Sequence, residues 1–534
     1  MTEANPAINA SPPGNKVSAA LLLGASIAAV WIALAIGLAV TRAPWSNEAW
    51  TAIPALNLAQ RGIMGTTVLE FRNTWLQGLD RHTYWLMPLH LLVQAAWYKL
   101  LGFSLLRQRL LSVLFAAVLL VSWYRIVLEL TGLRAAAFAV WLIIGFETNF
   151  LAGAANGRMD MMCAALGSAA IAAWLKLRIA APRLAVLVGH SLAAAAIFTH
   201  PCGVLFAAAL LLISLSLTGW RMRPSDLLIA SLPYLIAAAL WGVYIAQAPA
   251  DFRSQFFGNA SGFAGEYTDR GRLNGLGSPG RAILDEVRLR YLKTFGFDEL
   301  RTRVGVLNAL WLLISCSAAA AVLLIPSLRA QPGVRALLLA AFGMFLMMAF
   351  LEGMKFQHYL VYSLPFLSAL AATTGGWLWI NHRRARVLLI GAILALTLSQ
   401  IRNVLSVIHQ NQSQNELGYV AKYLRAGTQP GDLIIGPAEL GYELGFTDAI
   451  RDDVRLGYNT GLQPRFIVTS GWYRRWFEGA RSRDPVLYNY MHRTLDQECQ
   501  LGPNPFLQPN LFRDTTGYLA HGGRVLDQSA REGT

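Results

Sequence analysis

Of the chain's 534 residues, 55% are hydrophobic and only 14% charged, far below the charged fraction of about 25% in a soluble domain, which excludes a chain folded wholly in water. The formal net charge of +15 does not mark a nucleic-acid binder, because the basic residues sit mainly in short turns between apolar runs, where they orient spans instead of forming a stripe. Four cysteines, Cys163, Cys202, Cys316 and Cys499, show no CxxC spacing and no Cys/His cluster, so no structural metal motif is present.

The first apolar run, 17–40, is too long for the apolar region of a signal peptide and lacks a small-residue cleavage site. It reads as a permanent anchor. A membrane span needs about 20 apolar residues, and ten further runs follow: 110–130, 135–155, 161–175, 184–198, 203–217, 227–246, 304–325, 336–351, 359–380 and 387–401. The pair 184–217 is short for two spans and long for one; basic residues at both ends make it a hairpin broken at Pro201. Residues 84–101 are apolar but interrupted by Pro88, His90, Gln94 and Lys99, and carry Trp85, Trp97 and Tyr98. If this stretch lies in the membrane plane, as its aromatic residues suit, every basic turn falls on the side of the N-terminal tail. Those turns hold Arg125 and Arg134; Lys176, Arg178 and Arg183; Arg221 and Arg223; Arg329 and Arg335; and Arg383, Arg384 and Arg386. Positive residues favour the cytoplasm, so the expected protein is a polytopic α-helical membrane protein with about eleven transmembrane helices. Its N-terminus is cytoplasmic and a juxtamembrane helix lies in a large first outward loop.

Four segments then face outward: 41–109, the turn at 156–160, 249–303, and everything beyond Arg402. The last changes character. Helix-like stretches (416–426, 472–479) alternate with strand-like ones (432–435, 465–469), separated by turn signals such as Gln429-Pro430-Gly431 and Gly461. The expected organisation is a membrane catalytic domain, 1–406, and a small extracytoplasmic α/β domain, 407–534.

On that outward face two carboxylates stand beside apolar helix ends: Glu48 just beyond the first span and Asp160 at the mouth of the fourth. Each alone suits a helix start, where a negative charge complements the macrodipole. Together at membrane depth they are costly enough to indicate a site. One carboxylate there can take a proton from an attacking hydroxyl while the other orients it or holds a cation. Arg158, Arg81, His82, Lys355 and His358 supply positive charge near the same interface and suit a phosphate carried by a membrane lipid, although snorkelling at the interface accounts equally well for any one of them.

The stretch Asn47-Glu48-Ala49-Trp50, followed by Leu58-Ala59-Gln60-Arg61-Gly62, resembles the Asp-Glu opening of the first loop in GT-C glycosyltransferases, above all the protein O-mannosyltransferases and the lipid A aminoarabinose transferases. Met87-Pro88-Leu89, with Trp97 to Ser104 and Arg109-Leu110-Leu111-Ser112, resembles their Pro-Pro-Leu segment and the helix after it. Arg158-Met159-Asp160 looks like their second acidic motif. Phe198 to Gly203, and Lys355 to Tyr359 with Leu364-Pro365, resemble two later stretches. The likeness covers roughly the first 375 residues. It implies an inverting glycosyltransferase that takes a sugar from a polyprenyl phosphate and gives it to a hydroxyl on an envelope glycolipid, a polysaccharide or a protein. In that reading Glu48 is the base, Asp160 orients a substrate, and Arg158, Lys355 or His358 steadies the leaving phosphate. The sequence departs from the family where Asn47 replaces the usual aspartate, which leaves Asp80 as an alternative base, and where His200 replaces a lysine. Whether a divalent cation joins Glu48 and Asp160 stays open.

Two other classes fit a polytopic chain: a transporter or lipid flippase, and an O-antigen ligase. A transporter puts polar or broken helices at mid-membrane and often repeats, whereas the polar residues here cluster at the outward rim. Ligases are thought to rely on basic residues, which the two acids argue against. Only six of the 45 basic residues are lysine, a skew that leans towards a GC-rich bacterial genome and hence a bacterial inner membrane.

Overall fold

Which helices can cross a lipid layer is decided by length and apolar composition. In the computed structural model the described residues are 14–70, 76–219, 223–259, 274–495, 498–500 and 519–522. Among them, eight helices meet both conditions, and nine if a pair bent by 70° counts as one span. The helices are α1 (Gly14–Thr41), α2 (Ser46–Arg61), α3 (Pro88–Leu101), α4 (Leu105–Thr131), α5 (Arg134–Gly145), α6 (Thr148–Ala154), α7 (Met159–Leu177), α8 (Pro182–Thr199), α9 (Gly203–Thr218) and α10 (Pro224–Ile245). They continue with α11 (Arg303–Leu324), α12 (Pro332–Leu351), α13 (Leu360–Asn381), α14 (Ala385–Gln410) and α15 (Tyr419–Gly427).

Each of the eleven expected spans is helical, and among the described residues eight to nine of them are long and apolar enough to cross a membrane. The two that fall short do so for different reasons. Helix α9 has 16 residues, because the turn at His200–Cys202 consumes part of the run. Helix α13 is long enough but carries Ser363, Ser368, Thr373 and Thr374, all buried among other helices. A helix wrapped by protein need not be apolar enough to face lipid. The bend between α5 and α6 comes from Glu147, whose carboxylate accepts the Phe150 N–H at 2.7 Å and the Asn149 amide at 2.8 Å. It restarts the helix in a new direction as an N-cap does. Gln400 of α14 then accepts the Thr148 N–H at 3.1 Å and pins the new start. The helix expected in 84–101 is α3, 14 residues long and too short to cross.

Close packing holds the bundle. Trp123 and Phe366 meet edge to face at 4.7 Å. At the start of α12, a Cβ on Gly333 would lie 1.9 Å from the Leu130 carbonyl oxygen, so only glycine lets α12 approach the end of α4 this closely.

Helix α14 passes through Asn411, in left-handed conformation (φ 43°), and a π-helical turn (Ser413–Gly418) into α15. The expected boundary at 406–407 therefore lies inside a helix. Beyond it, β1 (Ile434–Ile435), β2 (Ile450–Arg451), β3 (Phe466–Thr469), β4 (Glu498–Gln500) and β5 (Leu519–Gly522) form one sheet in the order β2-β1-β3-β5-β4. Strands β2, β1 and β3 are parallel, and β5 runs antiparallel to β3 and β4. Alternation along the strands gives the sheet two faces. Ile434, Phe466 and Val468 pack with Leu417 and Val420 and also with Trp50, Ile53, Leu69 and Leu79 of the first loop. Ile435 and Ile467 pack with Tyr473, Trp476, Leu487 and Met491 of the helices Gly471–Arg483 and Pro485–Thr494. The C-terminal segment thus shares its core with the first loop. That loop also extends the sheet: the Asp452 N–H donates to the Val68 carbonyl at 2.7 Å, and the Glu70 N–H to the Asp452 carbonyl at 3.1 Å.

Candidate active site

The chain turns sharply between α1 and α2, and Glu48 enters in the first turn of α2, where its carboxylate accepts the Trp45 N–H at 3.1 Å. Arg109, near the start of α4, meets it with Nε on Oε1 at 2.8 Å and Nη2 on Oε2 at 2.7 Å. The other guanidinium N–H groups donate to the carbonyls of Ala39, Arg42 and Ala43, at 2.9, 2.8 and 3.3 Å, so one side chain ties the end of α1 to the start of α2. A fourth donor reaches Glu48 from the Gly157 N–H at 2.8 Å. Burial by itself pushes the Glu48 pKa up, but Arg109 and the backbone donor outweigh it and hold the carboxyl below its ordinary value. Gln108 completes the clamp, donating to the carbonyls of Glu48 and Gly157 at 2.9 and 3.0 Å and accepting the Tyr442 hydroxyl at 2.7 Å.

The turn gripped by Glu48 leads directly to the second carboxylate. Asp160, in the first turn of α7, takes Arg158 Nε on Oδ2 at 2.7 Å and the Tyr362 hydroxyl on Oδ1 at 3.0 Å. Each oxygen keeps a lone pair free of these donors. Arg158 lies 4.9 Å over the Trp45 ring, a cation–π contact, and its Nη2 reaches His358 Nε2 at 3.3 Å. Shielding from solvent and the facing guanidinium keep the His358 pKa well below that of a free imidazole, so it stays neutral. His200, from the α8–α9 turn, stacks on Tyr362 at 6.0 Å and meets the Tyr359 hydroxyl at 3.3 Å. Among the described residues no group of three or more His, Cys, Asp or Glu side chains is placed to hold a metal ion.

The cations singled out in the sequence separate into three places. Arg158 and His358 stand at Asp160. Lys355 does not face them: its Nζ meets Glu286 at 3.1 Å and donates to the Ala349 carbonyl at 2.6 Å, within a buried cluster in which Arg290 pairs with Glu286 at 2.7 Å and with Glu352 at 2.5 Å. The cluster backs the site indirectly, since Arg290 also holds the Phe356 carbonyl at 3.1 Å and the Phe356 ring stacks on His358 at 5.1 Å. Arg81 and His82 form the third group, both turned to Asp251 at 3.9 and 3.5 Å, with His82 beside Tyr244. Asp80 pairs loosely with Arg81 on the surface at 3.8 Å.

Tyr244 lines an apolar cleft of about 710 Å³ between α2, α3, α8 and α10, walled by residues such as Leu58, Leu92, Phe198, Leu240 and Trp241. Pro88 and Leu89 face this cleft, while the next residue, His90, is buried within electrostatic reach of Asp160. Cleft and carboxylate therefore flank the start of α3. Sequence reasoning missed Arg109, Tyr362 and Trp45 as members of the site. Arg109 had a readable signal, a full charge at the edge of an apolar run with no neighbour to pair with, which is expensive unless a distant acid answers it.

Solved structures share this architecture along most of the chain. ArnT from Cupriavidus metallidurans bound to undecaprenyl phosphate superposes with a TM-score of 0.56 at 14% identity, covering 95% of this chain and 98% of its own. The same enzyme in the apo state gives 0.57 at 15% identity, with 94% and 98% covered. The apo oligosaccharyltransferase of Archaeoglobus fulgidus gives 0.52 at 11% identity, with 86% and 72% covered. No family model and no curated protein sequence matches the chain. At these identities the likeness is one of fold: the chain shares the architecture of ArnT and of the archaeal oligosaccharyltransferase.

Proposed function

We propose that this chain is an inverting glycosyltransferase that moves a sugar from a polyprenyl-phosphate carrier to a hydroxyl acceptor on the non-cytoplasmic face of a bacterial inner membrane. The observation that carries the proposal is the grouping of Asp160, Arg158, His358 and Trp45 at one end of the bundle, close to an apolar cleft of a size and lining suited to an isoprenoid chain. The fold's presence in an enzyme captured with undecaprenyl phosphate adds support.

In the proposed step the acceptor oxygen attacks the anomeric carbon from the face opposite the phosphate. The bond from carbon to phosphate oxygen breaks, with its electron pair leaving on the phosphate. The acceptor proton passes to a free lone pair of Asp160. We assign the base to Asp160 rather than Glu48, because Glu48 already accepts four hydrogen bonds, whereas each Asp160 oxygen has one partner. Arg158, fixed by Trp45, balances the charge developing on the phosphate, and neutral His358 donates a hydrogen bond to it. Glu48, with Arg109, holds the Gly157 turn from which Arg158 and Asp160 project. Arg81 and His82, beside Tyr244 at the cleft, guide the lipid head group. An envelope glycolipid, a polysaccharide and a protein all remain acceptors compatible with this chemistry.

The test is transfer from a radiolabelled polyprenyl-phosphate sugar in membranes holding the wild type or Asp160→Asn. Loss of a general base lowers the rate by about 10²–10⁴, with expression unchanged. Wild-type transfer by Asp160→Asn sinks the proposal.

A further inference from the structure

A second cleft, about 360 Å³, lies on the other side of the C-terminal half of α2, against the loop between the helical turn at Gly441–Leu444 and β2. Its lining differs in kind from that of the apolar one. Asn57 and Arg61 project into it from successive turns of α2, while their neighbours Leu58 and Gly62 line the apolar cleft, so one helix separates the two spaces. Facing them are Thr67, Phe446, Thr447 and Asp448.

The polar groups are only partly used. Asn57 gives its amide hydrogen to the Gly65 carbonyl at 2.8 Å, and its oxygen meets no protein donor among the described residues. The Arg61 side chain is exposed and makes no hydrogen bond or ion pair with any described residue. Asp448 accepts the Thr67 hydroxyl at 2.6 Å on Oδ1 and pairs loosely through the same oxygen with Arg451 Nη1 at 3.6 Å, while its Oδ2 meets no described residue and the side chain is 77% exposed. Phe446 is braced edge-on by Tyr442 at 5.1 Å and Phe103 at 5.7 Å.

We propose that this cleft binds a neutral oligosaccharide, the glycan portion of the acceptor; the role as acceptor rests on the transferase reading above. An anion such as phosphate would meet Asp448, and an amine would meet Arg61. A polyol satisfies both, because a hydroxyl donates to a carboxylate and accepts from a guanidinium, and Phe446 offers an apolar ring to the C–H face of a sugar. The cleft falls within the usual range for ligand sites, about 300–1,000 Å³. From Glu48 to Arg61 along α2 is about 20 Å at 1.5 Å per residue. An occupant that also reaches Asp160 must therefore be several sugar units long, which selects an oligosaccharide over a monosaccharide.

The full chain in lipid nanodiscs is tested by saturation-transfer NMR against three neutral tetrasaccharides of gluco, galacto and manno configuration. Ring protons of at least one should receive saturation, reduced at least fivefold in both Arg61→Gln and Asp448→Asn. The Arg61 side chain is exposed and pairs with no described residue, so its variant should fold as the wild type does. No transfer to any of the three sugars, or transfer unchanged in both variants, overturns the proposal. Hydrolysis of the lipid donor, with water taking the place of the acceptor hydroxyl, is measured alongside: unchanged hydrolysis in Arg61→Gln supports an acceptor site, and lost hydrolysis overturns it. Asp160→Asn separates the two ideas. If it still releases sugar from the donor, the transferase reading fails, while saccharide binding stands or falls on the NMR result alone.

Discussion

Glu48 and Arg109, 61 residues apart in sequence, face each other through two parallel hydrogen bonds of 2.8 and 2.7 Å, with the Arg109 side chain fully enclosed. A two-pronged ion pair of this kind is specific in geometry, and the same guanidinium fastens three carbonyls between Ala39 and Ala43. The pair is the joint at which α1, α2, α4 and the Gly157 turn meet. An isolated charge left there has no water to turn to.

Removing either partner should therefore harm folding before it harms chemistry. Glu48→Gln and Arg109→Met are each expected to lower stability by about 3–5 kcal/mol, the cost of stranding a buried charge, and the double variant by less than the sum. Thermal unfolding in detergent reads this out. Additive losses would mean that the two side chains act independently.

Tyr362 should behave in the opposite way. Tyr362→Phe leaves the aromatic packing in place and deletes the hydroxyl that reaches Asp160. Arg158→Ala removes the charge proposed to face the donor phosphate, and such losses typically cost about 10²–10³ in rate; it also strands the buried Asp160 carboxylate, so stability should fall with it. The melting temperature of Tyr362→Phe should stay within a few degrees of wild type while transfer falls. Equal falls in stability and transfer would place Tyr362 in the scaffold instead.

Asp452 gives a pH signature. Burial raises its pKa to about 6, against the donors Trp50, Tyr473 and the Ala438 N–H and together with the repulsion of Asp453. Because the folded protein holds this proton more tightly than the unfolded chain, the contribution is complete below about pH 4 and is lost as pH rises through 6. The loss amounts to roughly 3 kcal/mol at most. Unfolding measured between pH 4 and 7.5 should show a wild-type decline that is smaller in Asp452→Asn. A slope of opposite sign, or one indifferent to the substitution, would refute the assignment.

Two glycines offer a packing control. Gly333→Ala drives a methyl into the Leu130 carbonyl, with overpacking expected to cost about 1–3 kcal/mol. A Cβ at Gly242 meets nothing within 4 Å, so Gly242→Ala should be neutral or slightly stabilising. Comparable melting temperatures for the two variants would contradict the packing of α12 on α4.

Orientation is tested separately. A reporter that is active only outside the cytoplasm, fused after Thr534, should be active, because the basic turns favour the opposite side. Activity from a cytoplasm-specific reporter at that position would reverse the inferred topology.

The amino-acid sequence by itself determined the membrane class, the positions of the helical runs, the α/β character of the C-terminal segment and the grouping of Arg158 with Asp160. These are local properties: water rejects an apolar run whatever surrounds it, and residues two apart at a helix start meet without help from the rest of the chain. Only the tertiary structure decided which charges are occupied. Glu48 is answered by Arg109, Lys355 is drawn away by Glu286, and Arg81 and His82 turn to Asp251. It also decided that the first loop and the C-terminal sheet form one core, where Trp50 donates to Asp452 across 402 residues at 2.8 Å. A buried charge takes whichever counter-charge the fold delivers, and that choice is set by packing between helices, which residue spacing does not encode.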